Sequence, residues 1–210
     1  CGMERVRLYD EKGNRGRKEG TGLFTHALME AYPWLPVEED GRLHDPQLRE
    51  NFVERLFALH ELNTLRANGL TRRALMDFHS RYKLQLLAHH QAGYREIGPF
   101  VASMHQWQDL DAFFVAYRDK LMAILKNTAS RKNHTNVLMH IQGYFRERLN
   151  SRQRGELRDV ILHYRAGLLP ILAPLTLLKH YLAEYPDRYL QTQNYFDPYP
   201  QALALRLGVN

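Results

Sequence analysis

Between about residues 45 and 185 the sequence is a succession of helix-length amphipathic segments, and this feature constrains the fold more than any other. Apolar residues recur within each segment at intervals of three and four positions, the period of a helix with one buried face. Residues that start or stop helices separate the segments. The sequence contains no internal repeat and no low-complexity tract. It therefore predicts a mainly α fold, a multi-helix bundle.

Capping residues locate the predicted helices. Asp45-Pro46 is a good helix start, because the Asp side chain can accept from backbone N–H groups and Pro fits the first helical position. The helical pattern then runs through Phe52, Leu56 and Leu59 towards Leu65, and Gly69 ends it. The later helices are predicted at 72–91, 93–104, 110–126, 134–149, 154–168 and 174–185, with Thr71, Asp109, Asn150 and Ser151 as caps and Pro186 as the last stop.

The first 57 residues have a different pattern. Met3–Tyr9 alternate like a strand, a Gly-rich charged loop follows at 10–20, and Thr21 can cap a short helix that ends before Pro33. We expect residues 1–57 to be a truncated α/β remnant, the C-terminal fragment of a second domain, followed by a helical domain at 58–210. The chain begins with Cys-Gly instead of Met, so we expect that it was cut from a longer two-domain protein.

Hydropathy and cysteine content indicate the compartment in which the protein is found. The longest uncharged apolar stretch, 166–178, is interrupted by Pro170 and Pro174 and is shorter than the roughly 20 residues that span a membrane. We therefore expect no membrane partner. The single cysteine excludes an intrachain disulfide and favours a reducing, cytoplasmic location.

The positive charge is concentrated in the helical part. Residues 1–57 carry nine Lys/Arg and eleven Asp/Glu, a net of −2, whereas residues 58–210 carry 20 and 12, a net of +8. This excess suits an anionic partner such as RNA, or it is simply a solvated basic surface. The aromatic tail at 189–200 predicts an ordered strap packed on the bundle, because its rings would be costly to leave in water.

Several helices place cationic and polar side chains at the edges of their apolar faces. The functional interpretation is a pocket between helices that binds an anion or a planar ring, lined by His79, Lys83, His89, His134 and Tyr144. Arg81, Arg95, Lys179 and His180 extend this cationic border. The alternative is that these side chains are structural, each satisfied by a neighbour or extended to solvent.

Metal and nucleotide motifs are not apparent. The eleven histidines lack the i,i+3 or i,i+4 helical pairs that a zinc or di-iron site would use. No P-loop, dinucleotide glycine pattern or nucleophile elbow occurs, and the lone Cys1 cannot by itself hold a cluster.

Within residues 1–57, four segments carry a resemblance to known proteins: CGMERVRLYD, GTGLFTHAL, LPVEEDGRL and LRENFVERLF. They are similar to the C-terminal part of the small α/β domain of the thiouracil desulfurase family, which are iron–sulfur proteins that remove sulfur from a thiolated nucleobase. Cys1-Gly2 is similar to the end of the family's Ser-Pro-Ser-Cys-Gly motif. The resemblance implies that Cys1 is a ligand of a [4Fe-4S] cluster in a full-length parent, with the other ligands upstream. It implies no cofactor and no desulfurase activity in this fragment alone.

A second resemblance covers residues 58–210 and lies in the segments HELNTLRANGLTRRAL, FHSRYKLQLLAH, YREIGPFVA, NVLMHIQGYF, LTLLKHY and YLQTQNYFDPYP. These segments are similar to the YbgA-like family of unknown function, which often follows a desulfurase-like domain. No catalytic residue of that family can be carried over.

Three functions remain open for the helical domain. It could assist a desulfurase by binding a nucleobase-like substrate or covering the cluster, it could bind RNA, or it could be a structural or dimerisation scaffold. The sequence leaves the oligomeric state open.

Overall fold

The computed structural model describes residues 22–207. These residues form nine α-helices and no strand, which confirms the mainly α fold. The helices are α1 (Leu23–Ala31), α2 (Pro46–Ala67), α3 (Arg72–His89), α4 (Gln91–Ala102), α5 (Leu110–Leu125), α6 (Arg131–Tyr144), α7 (Ser151–Arg165), α8 (Leu172–Glu184) and α9 (Arg188–Gln191). Cys1, the predicted strand, the loop after it and Thr21 lie outside the described residues.

Helix α3 lies at the centre of the bundle. Phe78, Tyr82 and Leu86 of α3 pack with apolar residues of α2, α4 and α5 in one core cluster. Leu84 and Leu87, on another side of the same helix, pack with α6, α7, α8 and the C-terminal aromatic residues in a second cluster. A single helix therefore joins two hydrophobic cores, which explains why every residue from Leu84 to His89 is buried.

Most predicted caps are confirmed. The Asp45 carboxylate accepts the N–H groups of Gln47 and Leu48, and Thr71 and Asp109 cap α3 and α5. Asn150 caps α7 in a reciprocal capping box with Gln153. The helix ends are less accurate: α6 begins at Arg131 after the cap Ser130 and ends at Tyr144, several residues before the predicted end. Helix α4 begins at Gln91 after the cap His90.

The predicted apolar face of α2 is partly wrong. Leu56 is 41% exposed, and the buried face consists of Asn51, Glu54, Arg55, Ala58, Leu59 and Leu62. Polar side chains thus occupy part of a core-facing stripe. The predicted domain division at 57/58 falls inside this unbroken helix, so the division stays a prediction.

The C-terminal strap is confirmed. Tyr195, Phe196 and Tyr199 are buried, and the side-chain amide of Gln193 donates to the Ser80 carbonyl of α3. The chain then turns through Ala204, whose φ of 52° is in the left-handed region, and Leu205–Leu207 reach α2. This return places the side chain of Arg206 against the polar stripe of α2.

Candidate functional site

A cavity of about 220 Å³ lies where the beginnings of α2 and α6 meet the α7–α8 connection and the C-terminal segment. Residues of α2 and of the C-terminal segment, far apart in the sequence, therefore line the same cavity. The polar side chains that line the cavity are those of Gln47, Glu50, Asn51, Glu54, Thr128, Arg131, His134, Tyr164 and Arg206.

Glu54 and His89 form a buried ion pair behind this wall. His89 Nε2 lies 2.9 Å from Glu54 Oε2, and His89 Nδ1 lies 2.6 Å from the Asn127 carbonyl oxygen. Both ring nitrogens thus face oxygen acceptors, which requires a proton on each. Burial opposes ionisation of Glu54, but the hydrogen bond and charge of His89, with a contribution from Arg206, hold its carboxyl pKa below the usual value. The pair is an imidazolium with a carboxylate.

Arg206 closes the charge network. Its Nε donates to Glu50 Oε1 at 2.7 Å, one Nη to Glu54 Oε1 at 3.2 Å, and the other to the Tyr195 carbonyl at 3.2 Å. Burial acts to lower the guanidinium pKa, but the two carboxylates outweigh it and raise the pKa above its ordinary value. Two cations and two carboxylates therefore balance one another beside the cavity.

His134 offers a neutral donor to the cavity. Burial and the charge of Arg206 lower its pKa to about 3, so the ring is uncharged at neutral pH. Its Nδ1 lies 2.9 Å from the Tyr195 hydroxyl, and burial raises the pKa of that phenol, which therefore keeps its proton. A buried hydroxyl needs an acceptor, so Tyr195 donates to Nδ1 and the ring proton of His134 is on Nε2.

Arg131 and Tyr164 form the outer part of the site. Arg131 donates to the Tyr164 carbonyl at 2.6 Å, and its guanidinium carbon lies 4.8 Å from the centre of the Tyr164 ring. Burial raises the pKa of the Tyr164 phenol to about 12, so it is a neutral hydroxyl. A planar cation and an aromatic ring are thus held together at the edge of the cavity.

The predicted site residues do not form one pocket. His134 lines the cavity and His89 reaches it through Glu54. His79 lies beside the core cluster of α2, α4 and α5, where its Nδ1 is 3.2 Å from the hydroxyl of Tyr117. Burial, together with the nearby charge of Lys83, lowers the pKa of His79 to about 4. Tyr144 is 41% exposed at the end of α6.

The remaining cationic residues are dispersed. Arg81 pairs with Glu61, and Lys179 pairs with Asp197 at 2.6 Å. His180 is exposed, 3.9 Å from Glu184, and Arg95 is exposed on α4. None of these four lines the cavity.

Six residues of the site were missed by the sequence analysis, namely Glu50, Asn51, Glu54, Arg131, Tyr164 and Arg206. A signal existed for Glu54: it lies three and four positions from Asn51 and Ala58, on the stripe that also contains Leu62. A carboxylate on a core-facing stripe needs a cationic partner. The partner itself, Arg206, could not be identified from spacing, because 152 residues separate the two.

The [4Fe-4S] cluster expected in a full-length parent depends on Cys1 and on ligands upstream of it, so it stays a prediction. Within residues 22–207 no group of three or more His, Cys, Asp or Glu side chains is arranged to hold a metal ion. Cys1, the expected cluster ligand, lies outside this range. No helix of the described part is long and apolar enough to cross a bilayer.

Comparison with known proteins gives the family. A family model described as "Protein of unknown function (DUF1722)" matches residues 83–200. The "Uncharacterized protein YbgA" of Escherichia coli (strain K12) is 53% identical over 152 residues, which cover 72% of this chain and 90% of that protein. No solved structure matches the chain. His89, Arg131, His134 and Tyr164 lie inside the matched range, whereas the α2 carboxylates and Arg206 lie outside it. Since the family model matches more than half of the chain, this chain belongs to the DUF1722, or YbgA-like, family of proteins of unknown function.

Proposed function

We propose that the helical part of this chain binds a small, planar, polar molecule of nucleobase type in the cavity beside His134, as the substrate-binding accessory domain of an iron–sulfur desulfurase. The observation that carries the proposal is the presence of free donors and free acceptors around one small volume. Nucleobase edges present the same mixture of donors and acceptors.

The acceptors come from α2. Glu50 Oε1 receives the bonds from Arg206 and Tyr199, while Oε2 has no hydrogen-bond partner among residues 22–207. Asn51 donates its amide hydrogens to the carbonyls of Leu125 and Asn127, and this orients its side-chain oxygen. Both side chains line the cavity, so each can accept an N–H of a bound ring.

The donors come from α6 and α7. His134 keeps a proton on Nε2, and the Tyr164 hydroxyl makes no hydrogen bond with other described residues. Arg131 supplies a planar cation that can stack on a ring or donate to a carbonyl or thiocarbonyl. A neutral ring with carbonyl groups matches these donors better than a phosphate does, because Glu50 would repel an anion.

The size of the cavity limits the ligand. Its volume of about 220 Å³ is below the roughly 300–1,000 Å³ of pockets that hold drug-sized molecules. It suits a single ring without sugar or phosphate. The similarity of residues 1–57 to thiouracil desulfurases makes a thiolated pyrimidine the first ligand to test.

Calorimetric titration of the full chain with uracil and with 2-thiouracil tests the proposal. We expect saturable binding that His134→Leu and Tyr164→Phe each weaken by about tenfold, because each removes one hydrogen bond in a desolvated site. His163→Leu is the matched control, since His163 is exposed on α7 and does not line the cavity. Absence of binding at millimolar ligand, or equal loss in the control, would contradict the proposal. Circular dichroism verifies that each variant is folded.

A further inference from the structure

The C-terminal end of α6 carries an exposed aromatic stack that is separate from the cavity. The ring of Tyr144 packs on that of Tyr189, with centroids 5.7 Å apart and planes inclined by 20°. His140, one turn earlier on α6, meets Tyr144 edge-on at 5.6 Å. Tyr144 remains 41% exposed and is absent from both hydrophobic cores. Part of this aromatic surface is therefore available to a ligand.

Arginines surround this stack. A groove of about 310 Å³ beside Tyr144 is lined by Arg146 and Arg148, together with Tyr185. No carboxylate of the described chain lies within ion-pair distance of either arginine. Residues 144–154 contain four arginines and one glutamate, a net of +3. The segment that begins at the end of α6 is therefore basic, and two of its unpaired arginines line the groove.

The acidic residues at the groove balance its two arginines in formal charge, but they form no ion pair with them. Glu147 and Asp187 also line it. The Asp187 carboxylate accepts the backbone N–H of Leu190 and so caps α9, which gives it a structural role. Burial, and to a smaller extent the charge of Asp187, raises the pKa of the Tyr144 phenol, so the ring is neutral. Arg146 and Arg148 remain available for an external anion.

We propose that the Tyr144 surface, defined by Tyr144, Arg146, Arg148 and Tyr189, binds single-stranded nucleic acid. Exposed bases stack on Tyr144, and the two arginines contact the flanking phosphates. Aromatic platforms beside unpaired cations are the means by which proteins bind single strands without reading their sequence. A duplex does not fit this mode, because its bases are already stacked on one another. A protein partner is less well matched, because Pro186 is the one aliphatic side chain among the residues that line the groove.

Fluorescence anisotropy of labelled oligonucleotides with the full chain tests this surface. We expect a short oligouridine to bind at low salt, and Tyr144→Ala to weaken binding by about tenfold. The double variant Arg146→Ala/Arg148→Ala should reduce the slope of log affinity against log salt concentration by about 1.4, since each phosphate contact to a single strand contributes about 0.7. A DNA oligonucleotide of equivalent sequence is titrated in the same way to compare DNA with RNA. The one that binds with higher affinity identifies which nucleic acid the surface recognises.

A matched control removes two positive charges near the other end of α6. Lys126→Ala/Lys132→Ala changes two exposed lysines near the beginning of α6 and should leave the affinity within twofold of the wild type. Three results would each overturn the proposal: no binding of the wild type at low salt, unchanged affinity in Tyr144→Ala, or a hairpin duplex bound as tightly as the single strand. Uracil binding at the cavity is independent of all three.

Discussion

Glu54 shows how a single residue of α2 connects the bundle to its C-terminus. Its two carboxylate oxygens are shared between His89 on α3 and Arg206 beyond the strap. The side chain is 4% exposed, so water cannot replace either partner. Removing one member of a buried charge pair leaves the other uncompensated, which is far more costly than never having the pair.

Glu54→Gln should therefore lower the free energy of unfolding by about 3 kcal/mol, since the amide leaves the imidazolium and part of the guanidinium without a counter-charge. Urea unfolding at pH 7 measures the change. Glu184→Gln on the exposed surface of α8 is the control and should stay within about 0.5 kcal/mol of the wild type. A loss in Glu54→Gln as small as that of the control would contradict the ion-pair assignment.

Gln85 is the opposite case, a buried polar residue without a visible partner. It is 2% exposed on α3, and neither its amide nitrogen nor its oxygen makes a hydrogen bond within the described chain. A buried amide left unpaired costs about 1–3 kcal/mol. Gln85→Met keeps a similar volume and removes both polar atoms, so it should raise the free energy of unfolding by about 1 kcal/mol. A destabilised Gln85→Met protein would indicate that the amide is satisfied by bound water.

At the scale of elements, Gly93 fixes how closely α4 approaches α5. A Cβ at this position would lie 2.6 Å from Cγ1 of Ile124 on α5 and 2.9 Å from Nδ1 of His90. Gly93→Ala must therefore push the helices apart and should destabilise the protein by about 1–3 kcal/mol.

Gly155 on α7 provides the comparison, because a Cβ there meets nothing within 4 Å. Gly155→Ala should stabilise the protein by about 0.5–1 kcal/mol through helix propensity alone. Thermal unfolding of both variants measures whether each substitution raises or lowers the stability of the protein. Stabilisation by both substitutions would show that α4 and α5 can separate at little cost.

The starts of helices could be predicted where they depend on capping residues close by in the sequence. Caps such as Asp45, Thr71 and Asn150 act through hydrogen bonds two or three residues away, so the sequence alone identified them. The end of α6 was not predictable in this way, because Tyr144 is followed by turn residues whose apolar members, Phe145 and Leu149, are buried by tertiary packing. The spacing of apolar residues typical of a helix therefore continues past Tyr144, and for this reason the sequence predicts a helix that extends to residue 149.

The cavity could not be predicted because it is a property of the whole molecule. Glu50 and His134 are 84 positions apart, and Arg206 joins them only after the chain has turned at Ala204. Sequence patterns report which side of a helix is buried, but they do not report which helices meet. The histidines at 89 and 134 were recognised as candidates, yet their separation from His79 and Tyr144 depends on the position of α3 between two cores.

Two histidines with lowered pKa values make the stability of the whole fold depend on pH. Burial, aided by nearby positive charge, lowers the pKa of His79 to about 4 and that of His134 to about 3. In the unfolded chain both titrate near 6.5, so the unfolded state takes up protons first as the pH falls. Stability from these groups is thus complete above about pH 6.5 and declines as the pH drops towards the folded pKa values.

Between pH 7 and pH 5 each histidine should cost the fold about 2 kcal/mol. The decline is measured by urea unfolding at both pH values. His79→Gln and His134→Gln remove one titrating group each, so each should reduce the loss between the two pH values by about 2 kcal/mol, whatever it does to stability at pH 7. Glu54 contributes at lower pH, because a carboxylate with a depressed pKa loses its stabilising effect only below about pH 4.5. An unchanged difference between pH 7 and pH 5 in both variants would show that the two rings take up protons over the same pH range in the folded protein as in the unfolded chain, and that burial does not lower their pKa values.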